Sequence, residues 1–193
     1  MGERMSDILD LKRRLARLLV EKSYREGDFV LASGRRSDYY FDCRVTALHA
    51  EGSWLIGSLF NNLLKDRNIL GVGGMTMGAD PLVSATTVLS HELGRPLHGL
   101  LVRKESKGHG TNQFVEGLGN FQSGDPVAML EDVVTTGGSL LKACDRVRDA
   151  GLRIVAVCAI LDREEGGREK LREAGYELRA LFTRKELVEL ARR

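Results

Sequence analysis

Residues 127–139 read Val-Ala-Met-Leu-Glu-Asp-Val-Val-Thr-Thr-Gly-Gly-Ser, and this segment constrains the fold more than any other part of the chain. An apolar run at 127–130 ends at two adjacent carboxylates, and a turn rich in hydroxyls and glycines then precedes an amphipathic helix. Such a run is typical of a buried strand in a parallel sheet, and ligands bind at the carboxyl ends of such strands. The turn at 135–139 offers hydroxyls and backbone N–H groups at a helix N-terminus, where the helix dipole favours an anion. We expect it to bind a phosphate, while the two carboxylates accept hydrogen bonds from the hydroxyls of a sugar.

Predicted strands and helices alternate along most of the chain. The sequence predicts a first helix capped by Ser6 or Asp7, and then two extended pieces around a polar turn, at 29–32 and 39–42. Apolar runs predict strands near 69–72, 97–102, 127–130 and 153–160. Amphipathic stretches predict helices near 51–65, 81–92 and 140–150, and a last helix, strand and helix fall within 168–193. This alternation indicates an α/β fold with a central, mostly parallel sheet flanked by helices.

Length, charge and cysteine content restrict what kind of protein this chain can be. Its 193 residues suit a single domain, which we divide into a small N-terminal hood at about 1–45 and an α/β core at about 46–193. A net charge of +2 is too small to attract nucleic acid in bulk. The three cysteines are far apart, which favours reduced thiols over disulfides or zinc. Because the sequence shows neither a membrane-spanning stretch nor a signal-peptide core, we expect a cytoplasmic protein without nucleic-acid or membrane partners.

Three further segments combine polar, aromatic or glycine residues next to predicted strands. Residues 29–42 join a polar turn to an aromatic cluster, which fits either a surface hairpin or a binding site for a flat heterocycle. Residues 103–111 carry three cations, a histidine and two glycines, which fits either a solvated loop or a lid over a polyphosphate. Residues 73–81 are rich in glycine, which fits either a flexible connection or a loop whose backbone approaches a pyrophosphate.

Taken together, these segments resemble a known enzyme family. Residues 127–139 resemble the signature with which type I phosphoribosyltransferases bind 5-phosphoribosyl 1-diphosphate (PRPP). The segments 29–42, 103–109 and 114–117 and the run at 161–163 resemble orotate phosphoribosyltransferase, in the same order along the chain, and the pattern Arg-Lys-x-x-Lys-x-His-Gly is the most specific of them. The resemblance covers about 29–163. It implies a type I phosphoribosyltransferase fold and a Mg²⁺-dependent reaction of PRPP with orotate, giving orotidine 5′-monophosphate and pyrophosphate in pyrimidine synthesis.

The resemblance also implies roles for individual residues. The residues expected to be catalytic are Arg103, Lys104, Lys107, His109 and Asp132. Those expected to bind PRPP are Met75, Thr76, Met77, Glu131, Asp132, Val133, Val134, Thr135, Thr136, Gly137, Gly138 and Ser139. Those expected to bind orotate are Tyr40, Phe41, Thr135 and Arg163.

Three other expectations rest on the resemblance. The protein would be a homodimer with shared active sites, because some cations of 103–109 would reach the neighbouring subunit's site. Mg²⁺ would be held mainly by PRPP, so the chain itself would form no metal site. A non-proline cis peptide bond would join Met75 to Thr76 in the loop that faces the diphosphate.

The chain departs from the family pattern at two positions and leaves two alternatives open. Ala32 and Met77 stand where the family often has lysine, which leaves fewer fixed cations near the base and the diphosphate. A purine phosphoribosyltransferase would share the signature at 127–139 but should lack the cationic pattern at 103–109. A PRPP-sensing regulatory protein would need an attached nucleic-acid-binding module or a basic face, and the sequence shows neither.

Overall fold

Helices and strands alternate in the computed structural model, which describes residues 2–30, 36–105 and 114–192. The strands are β1 (Tyr24–Val30), β2 (Arg36–Phe41), β3 (Gly71–Met75), β4 (His98–Val102), β5 (Val115–Glu116), β6 (Pro126–Val134), β7 (Arg153–Asp162) and β8 (Leu178–Thr183). The α-helices are α1 (Gly2–Ser23), α2 (Cys43–Ala47), α3 (Ala50–Leu63), α4 (Asp80–Glu92), α5 (Gly138–Asp149), α6 (Gly167–Glu173) and α7 (Arg184–Ala191). None of these helices is both long enough and apolar enough to cross a membrane.

A six-stranded sheet in the order β5-β4-β3-β6-β7-β8 forms the centre of the protein. All neighbouring strands run parallel except β4 and β5, which are antiparallel. The predicted α/β fold with a mostly parallel sheet is therefore confirmed. From β3 the chain proceeds outward to β4 and then returns to the other side of β3 as β6. Ligands of such sheets bind where the strand order reverses in this way, which here is the carboxyl end of β3 and β6.

Both faces of the sheet are covered by helices, and β6 shows this most clearly. Alternate residues of a strand point to opposite faces. Ala128 and Leu130 belong to the apolar cluster beneath α1, α3, α4 and α7, whereas Val127 and Met129 belong to the cluster beneath α5 and α6. All four side chains are fully buried. The continuous apolar run at 127–130 is thus the consequence of burial on both faces.

The N-terminal region packs beside the core as a helix followed by a separate antiparallel hairpin. Strands β1 and β2 pair with Tyr24 opposite Phe41, and the chain then enters the short helix α2. An ion pair between Arg184 of α7 and Asp38 of β2, with 2.9 Å between Nη2 and Oδ2, joins the hairpin to the C-terminal helix. This arrangement brings the end of β2 to the carboxyl edge of the sheet.

Several predicted element boundaries are wrong, and two of the errors bear on function. Helix α1 begins at Gly2 rather than at a cap on Ser6 or Asp7, and α2 and β5 were not predicted. Strand β6 continues to Val134, so both carboxylates lie within the strand instead of following it. Strand β3 continues to Met75 and therefore contains the first glycines of the predicted loop.

Close packing explains the glycine at position 74. A Cβ atom there would lie 2.3 Å from the Cβ of Ala79 and 2.4 Å from the carbonyl oxygen of Leu130. Real Cβ atoms do not approach other atoms so closely, because the overlap is strongly repulsive. Gly74 therefore allows β3, β6 and the start of α4 to pack together, and it contributes to the site by setting how close these elements lie.

Candidate active site

A cavity of about 600 Å³ opens at the carboxyl edge of the sheet, where the strand order reverses. It lies between the ends of β3, β6 and β7 on one side and the end of β2 with α2 on the other. The side chains and backbone that line it are Tyr40, Phe41, Asp42, Cys43, Arg44, Met75, Thr76, Met77, Gly78, Lys104, Glu131, Asp132, Val133, Thr135, Ser139 and Arg163. Residues from all four sequence segments singled out above therefore meet in one place.

A smaller hollow of about 70 Å³ adjoins the cavity at the N-terminus of α5. It is lined by Glu131 and by residues 133–140, so it shares Thr135 and Ser139 with the main cavity. Gly137 has a φ of 73°, and a Cβ there would lie 3.1 Å from the carbonyl oxygen of Gly167. The left-handed backbone and the close approach of α6 both require glycine. The turn thus presents hydroxyls and N–H groups at a helix N-terminus, as an anion site requires.

The two carboxylates at the end of β6 differ in their surroundings. Glu131 is 6% exposed; its Oε1 accepts a hydrogen bond of 3.3 Å from the N–H of Asp132, while its buried Oε2 has no partner among the described residues. Oδ1 of Asp132 accepts a hydrogen bond of 2.8 Å from the N–H of Val133. Burial raises the pKa of Glu131 well above its ordinary value, and the neighbouring Asp132 raises it further. A buried acceptor without a donor is costly, and a ligand hydroxyl would relieve that cost.

Replacing Glu131 with glutamine is expected to raise the melting temperature of the ligand-free protein at neutral pH. Because the pKa of Glu131 is raised on folding, the folded chain retains a proton that the unfolded chain releases. Stability therefore falls as the pH rises from the ordinary glutamate pKa towards the raised one, and glutamine cannot show this fall. For a chain of this size, each gain of about 1 kcal/mol raises the melting temperature by roughly 2–4 °C.

Thermal unfolding of Glu131→Gln and the unaltered protein across acidic to alkaline pH checks this expectation. Glu177→Gln is the matched control, because Glu177 is an exposed glutamate on the surface. Two stability curves that run parallel over the whole pH range would contradict it, since the difference must grow as the pH rises.

Arg163, directly after β7, also lines the cavity. Its side chain is only 7% exposed, and its Nε lies 2.7 Å from Oε1 of Glu165. Its guanidinium carbon lies 4.4 Å from the centre of the Tyr39 ring. Phe41 is nearly buried and Tyr40 is 40% exposed, and both line the cavity. The predicted orotate residues are therefore neighbours, and the structure adds Tyr39 and Glu165, which the sequence interpretation missed although Tyr39 belongs to the same aromatic cluster.

The cationic segment is only partly described. Lys104 lines the cavity, whereas Arg103 does not. Nη1 of Arg103 instead lies 3.2 Å from Oε1 of Glu116. Lys107 and His109 lie outside the described residues. Within the described ranges, the structure thus brings one predicted cation of this segment to the site.

The loop after β3 contains a non-proline cis peptide bond, but it joins Thr76 to Met77. The predicted position, between Met75 and Thr76, is wrong by one residue. The N–H of Thr76 donates to the carbonyl of Val102 at 2.9 Å, which continues the pairing of β3 with β4 for one residue more. The loop faces the carboxylates directly, since a Cβ on Gly78 would come within 2.9 Å of Oδ1 of Asp132.

Four lining residues were not predicted: Asp42, Cys43, Arg44 and Gly78. Asp42 caps α2 through a hydrogen bond of 3.1 Å from the N–H of Arg44, and it also accepts two bonds of 2.8 Å from the Arg44 guanidinium. The hydrogen bond from that guanidinium holds the pKa of Asp42 below its ordinary value. An aspartate at the end of a predicted strand is a recognisable helix cap, and this signal could have revealed α2.

Comparisons with known proteins agree on one family, although no family model matches the chain. Orotate phosphoribosyltransferase of Sorangium cellulosum is 47% identical over 92% of this chain and 93% of its own length. Orotate phosphoribosyltransferase of Nostoc sp. is 44% identical over 92% of this chain and 85% of its own. The crystal structure of Mycobacterium tuberculosis orotate phosphoribosyltransferase in complex with PRPP superposes with a TM-score of 0.76 at 34% identity, covering 92% of this chain and 99% of that one.

Proposed function

The chain belongs to the orotate phosphoribosyltransferase family, and we propose from that premise how its residues carry out the reaction. The enzyme transfers the 5-phosphoribosyl group from PRPP to orotate, giving orotidine 5′-monophosphate and pyrophosphate. The observation that carries the assignment of residues is the meeting of four segments in one cavity. The alternatives, a purine-type phosphoribosyltransferase and a PRPP-sensing regulator, are not favoured, because the relatives at 44% and 47% identity are orotate enzymes.

The reaction breaks the bond between C1 of the ribose and the diphosphate. As it breaks, the sugar becomes a cation resembling an oxocarbenium ion, and the diphosphate gains negative charge. The turn at 135–139 would hold the 5′-phosphate through its N–H groups and hydroxyls at the N-terminus of α5. Glu131 and Asp132 would accept hydrogen bonds from the ribose hydroxyls, which supplies the missing donor for Oε2 of Glu131. The negative charge of Asp132 would also favour the developing cation.

The departing diphosphate would be met by the loop 75–77 and by cations. Lys104 lies in the cavity, and the resemblance assigns the same role to Arg103, Lys107 and His109. A preorganised cation that acts on charge in the transition state is worth roughly 3–4 kcal/mol. Met77 and Ala32 supply no charge where the family often has lysine, so the loss of any remaining cation should be more damaging here.

Mg²⁺ fits the site as a partner of the substrate. Among the described residues, no cluster of three or more His, Cys, Asp or Glu side chains could hold a metal ion. Mg²⁺ is commonly held by one or two carboxylates together with substrate phosphates. Glu131 and Asp132 both line the cavity and are the carboxylates that could assist PRPP in holding it. When bound, Mg²⁺ would neutralise charge on the diphosphate.

Orotate would bind at the end of the cavity formed by Arg163, Tyr40 and Phe41. The guanidinium of Arg163 is suited to the orotate carboxylate, because a planar fork of donors matches a carboxylate. The aromatic side chains would contact the pyrimidine ring. Thr135 lines both the cavity and the phosphate hollow, so it would lie between the two bound substrates. This placement would bring the ring nitrogen of orotate towards C1 of the ribose.

We propose a homodimer that associates through an apolar face on α3, α4 and the end of α2. Leu48, Trp54 and Val88 are 75%, 45% and 62% exposed on this face. Two grooves of about 480 and 420 Å³ run along it and share Ser53 and Ser84. Exposed apolar patches of this kind mark interfaces between proteins.

The position of this face would make the active sites shared. Its first groove and the cavity have Arg44 and Met77 in common, so a partner docked there would lie at the cavity mouth. Arg103 does not line the cavity of its own chain, and it would have to leave its ion pair with Glu116 to reach a neighbouring cavity. We also propose a cytoplasmic location, on the ground that all three cysteines are free buried thiols.

A single assay tests the proposed reaction. Mixing the protein with orotate, PRPP and Mg²⁺ should consume orotate, as followed by its ultraviolet absorbance, and omission of any component should stop the change. Adenine and hypoxanthine in place of orotate are the control bases. Turnover of a purine without turnover of orotate would support the purine alternative. PRPP binding without turnover of any base would support a regulatory protein.

A further inference from the structure

Arg146 of α5 contacts three separate segments of the chain near the active site, although it does not line the cavity itself. Its Nη1 donates to the carbonyl oxygen of Arg103, and its Nη2 donates to that of Lys104 at 3.0 Å. Nη1 also lies 4.0 Å from Sδ of Met75, the last residue of β3. The guanidinium carbon lies 4.1 Å from the centre of the Phe114 ring. One side chain therefore contacts the chain on both sides of 106–113 and at the start of the diphosphate loop.

These contacts fix the backbone from which Lys104 extends. A guanidinium is planar and presents its donors in a rigid fork, so two adjacent carbonyls bound to it are held in one orientation. The N–H of Arg103 also donates to the carbonyl of Phe114 at 2.8 Å. This bond joins the segment that Arg146 holds to the segment that begins at Phe114. Because both carbonyls are fixed, the direction in which the Cα–Cβ bond of Lys104 leaves the backbone is fixed as well.

The position of Arg146 on α5 relates this anchor to the other substrate contacts. The first residues of α5 belong to the turn that would hold the 5′-phosphate, and Arg146 lies about two turns further along the same helix. A helix is rigid over this length. Helix α5 would therefore set the distance between the bound 5′-phosphate and the cation that meets the diphosphate at the other end of PRPP.

We propose that Arg146 is a positioning residue for phosphoribosyl transfer, which holds Arg103 and Lys104 so that Lys104 meets the diphosphate. The inference rests on the proposed function. It goes beyond that function because Arg146 touches neither substrate and acts through the backbone of other residues. Arg146 would act by holding two backbone carbonyls in place, so another positively charged side chain at this position should not restore its function.

Steady-state kinetics of three variants test the proposal. Arg146→Met should lower kcat/KM for PRPP by about ten- to a hundredfold, because a small displacement of a catalytic group has effects of this size, and KM for orotate should change by less than about twofold. Arg146→Lys keeps the charge but cannot form the fork, so it should recover less than about half of the lost activity. Arg148→Met is the matched control. Arg148 lies on the same helix, pairs with Asp145 at the surface and should be replaceable without effect.

Titration of PRPP against each variant and thermal unfolding complete the test. Arg146→Met should bind PRPP several-fold more weakly and keep its melting temperature to within a few degrees. An active protein in which Arg146→Met or Arg146→Lys equals the unaltered chain would overturn the inference and leave the proposed function intact. Equal losses for orotate and PRPP with a large fall in melting temperature would also overturn it. Absence of orotate turnover in the unaltered chain would refute the proposed function instead, and the PRPP titration would then decide the inference.

Discussion

Replacing Arg163 with alanine is expected to weaken orotate binding by about thirty- to a hundred-and-fiftyfold while PRPP binding stays nearly unchanged. Arg163 lines the cavity but is not among the residues that line the phosphate hollow. Loss of one charge-assisted hydrogen-bonded pair costs on the order of 2–3 kcal/mol, which corresponds to the stated change in affinity. The effect should be confined to orotate because only orotate carries a carboxylate for the guanidinium to bind.

Titration of both substrates against Arg163→Ala provides the measurement. Arg36→Ala is a suitable control, because Arg36 lies in the N-terminal hairpin that supplies Tyr40 and Phe41 but is paired with Asp28 at the surface and is 81% exposed. It should bind both substrates as the unaltered chain does. Equal weakening of orotate and PRPP binding by Arg163→Ala would show that Arg163 is not the contact to the base.

Mixing two inactive variants, Lys107→Ala and Asp132→Ala, should restore up to about a quarter of the unaltered activity. If Lys107 serves the neighbouring site, each mixed dimer contains one site with both residues intact and one site with both defects. Random exchange makes about half of the dimers mixed, and each of these has one working site out of two. The expected recovery follows from these two fractions.

The control for this experiment uses the proposed interface. Leu48→Glu, introduced into both variants, places a charge on the exposed apolar face and should abolish the recovery by preventing association. Leu70→Glu alters another exposed leucine, one that precedes β3, and should leave the recovery unchanged. Before mixing, each variant must be nearly inactive alone, and exchange of subunits must be demonstrated. No recovery after proven exchange would mean that Lys107 serves the site of its own chain.

Replacing a buried carboxyl group can raise the stability of the free protein and at the same time impair its function. Glu131 illustrates this, because its buried oxygen without a partner destabilises the free protein and yet suits a ligand hydroxyl. Asp132, one residue later, has its Oδ1 bonded to the backbone of Val133. Glu131 and Asp132 are adjacent in the sequence, which gives no reason to distinguish them. Their replacement should nevertheless affect stability differently, because the structure buries Glu131 more deeply.

The sequence alone determined the features that depend on residues close together in the chain. The order of apolar strand, carboxylates, hydroxyl-rich turn and helix at 127–139 predicted a phosphate-binding strand–turn–helix unit, and the structure has a strand, a turn and a helix there. Alternating periodicities predicted the parallel α/β sheet. These predictions succeed because the spacing of apolar and polar residues along a short segment indicates whether the segment forms a helix or a strand, and this spacing can be read directly from the sequence.

Only the tertiary structure decided which distant residues meet and where each strand stops. The stacking of Arg163 on Tyr39 and the bonds from Arg146 to Arg103 and Lys104 depend on the order of strands in the sheet, which no local pattern specifies. The polar residues at the end of β6 gave no sign that the strand continues through them, because pairing with β7 extends it to Val134. The glycine at position 74 was predicted to serve a loop, whereas close contact with Ala79 and Leu130 requires it. Packing between elements far apart in sequence settled each of these points.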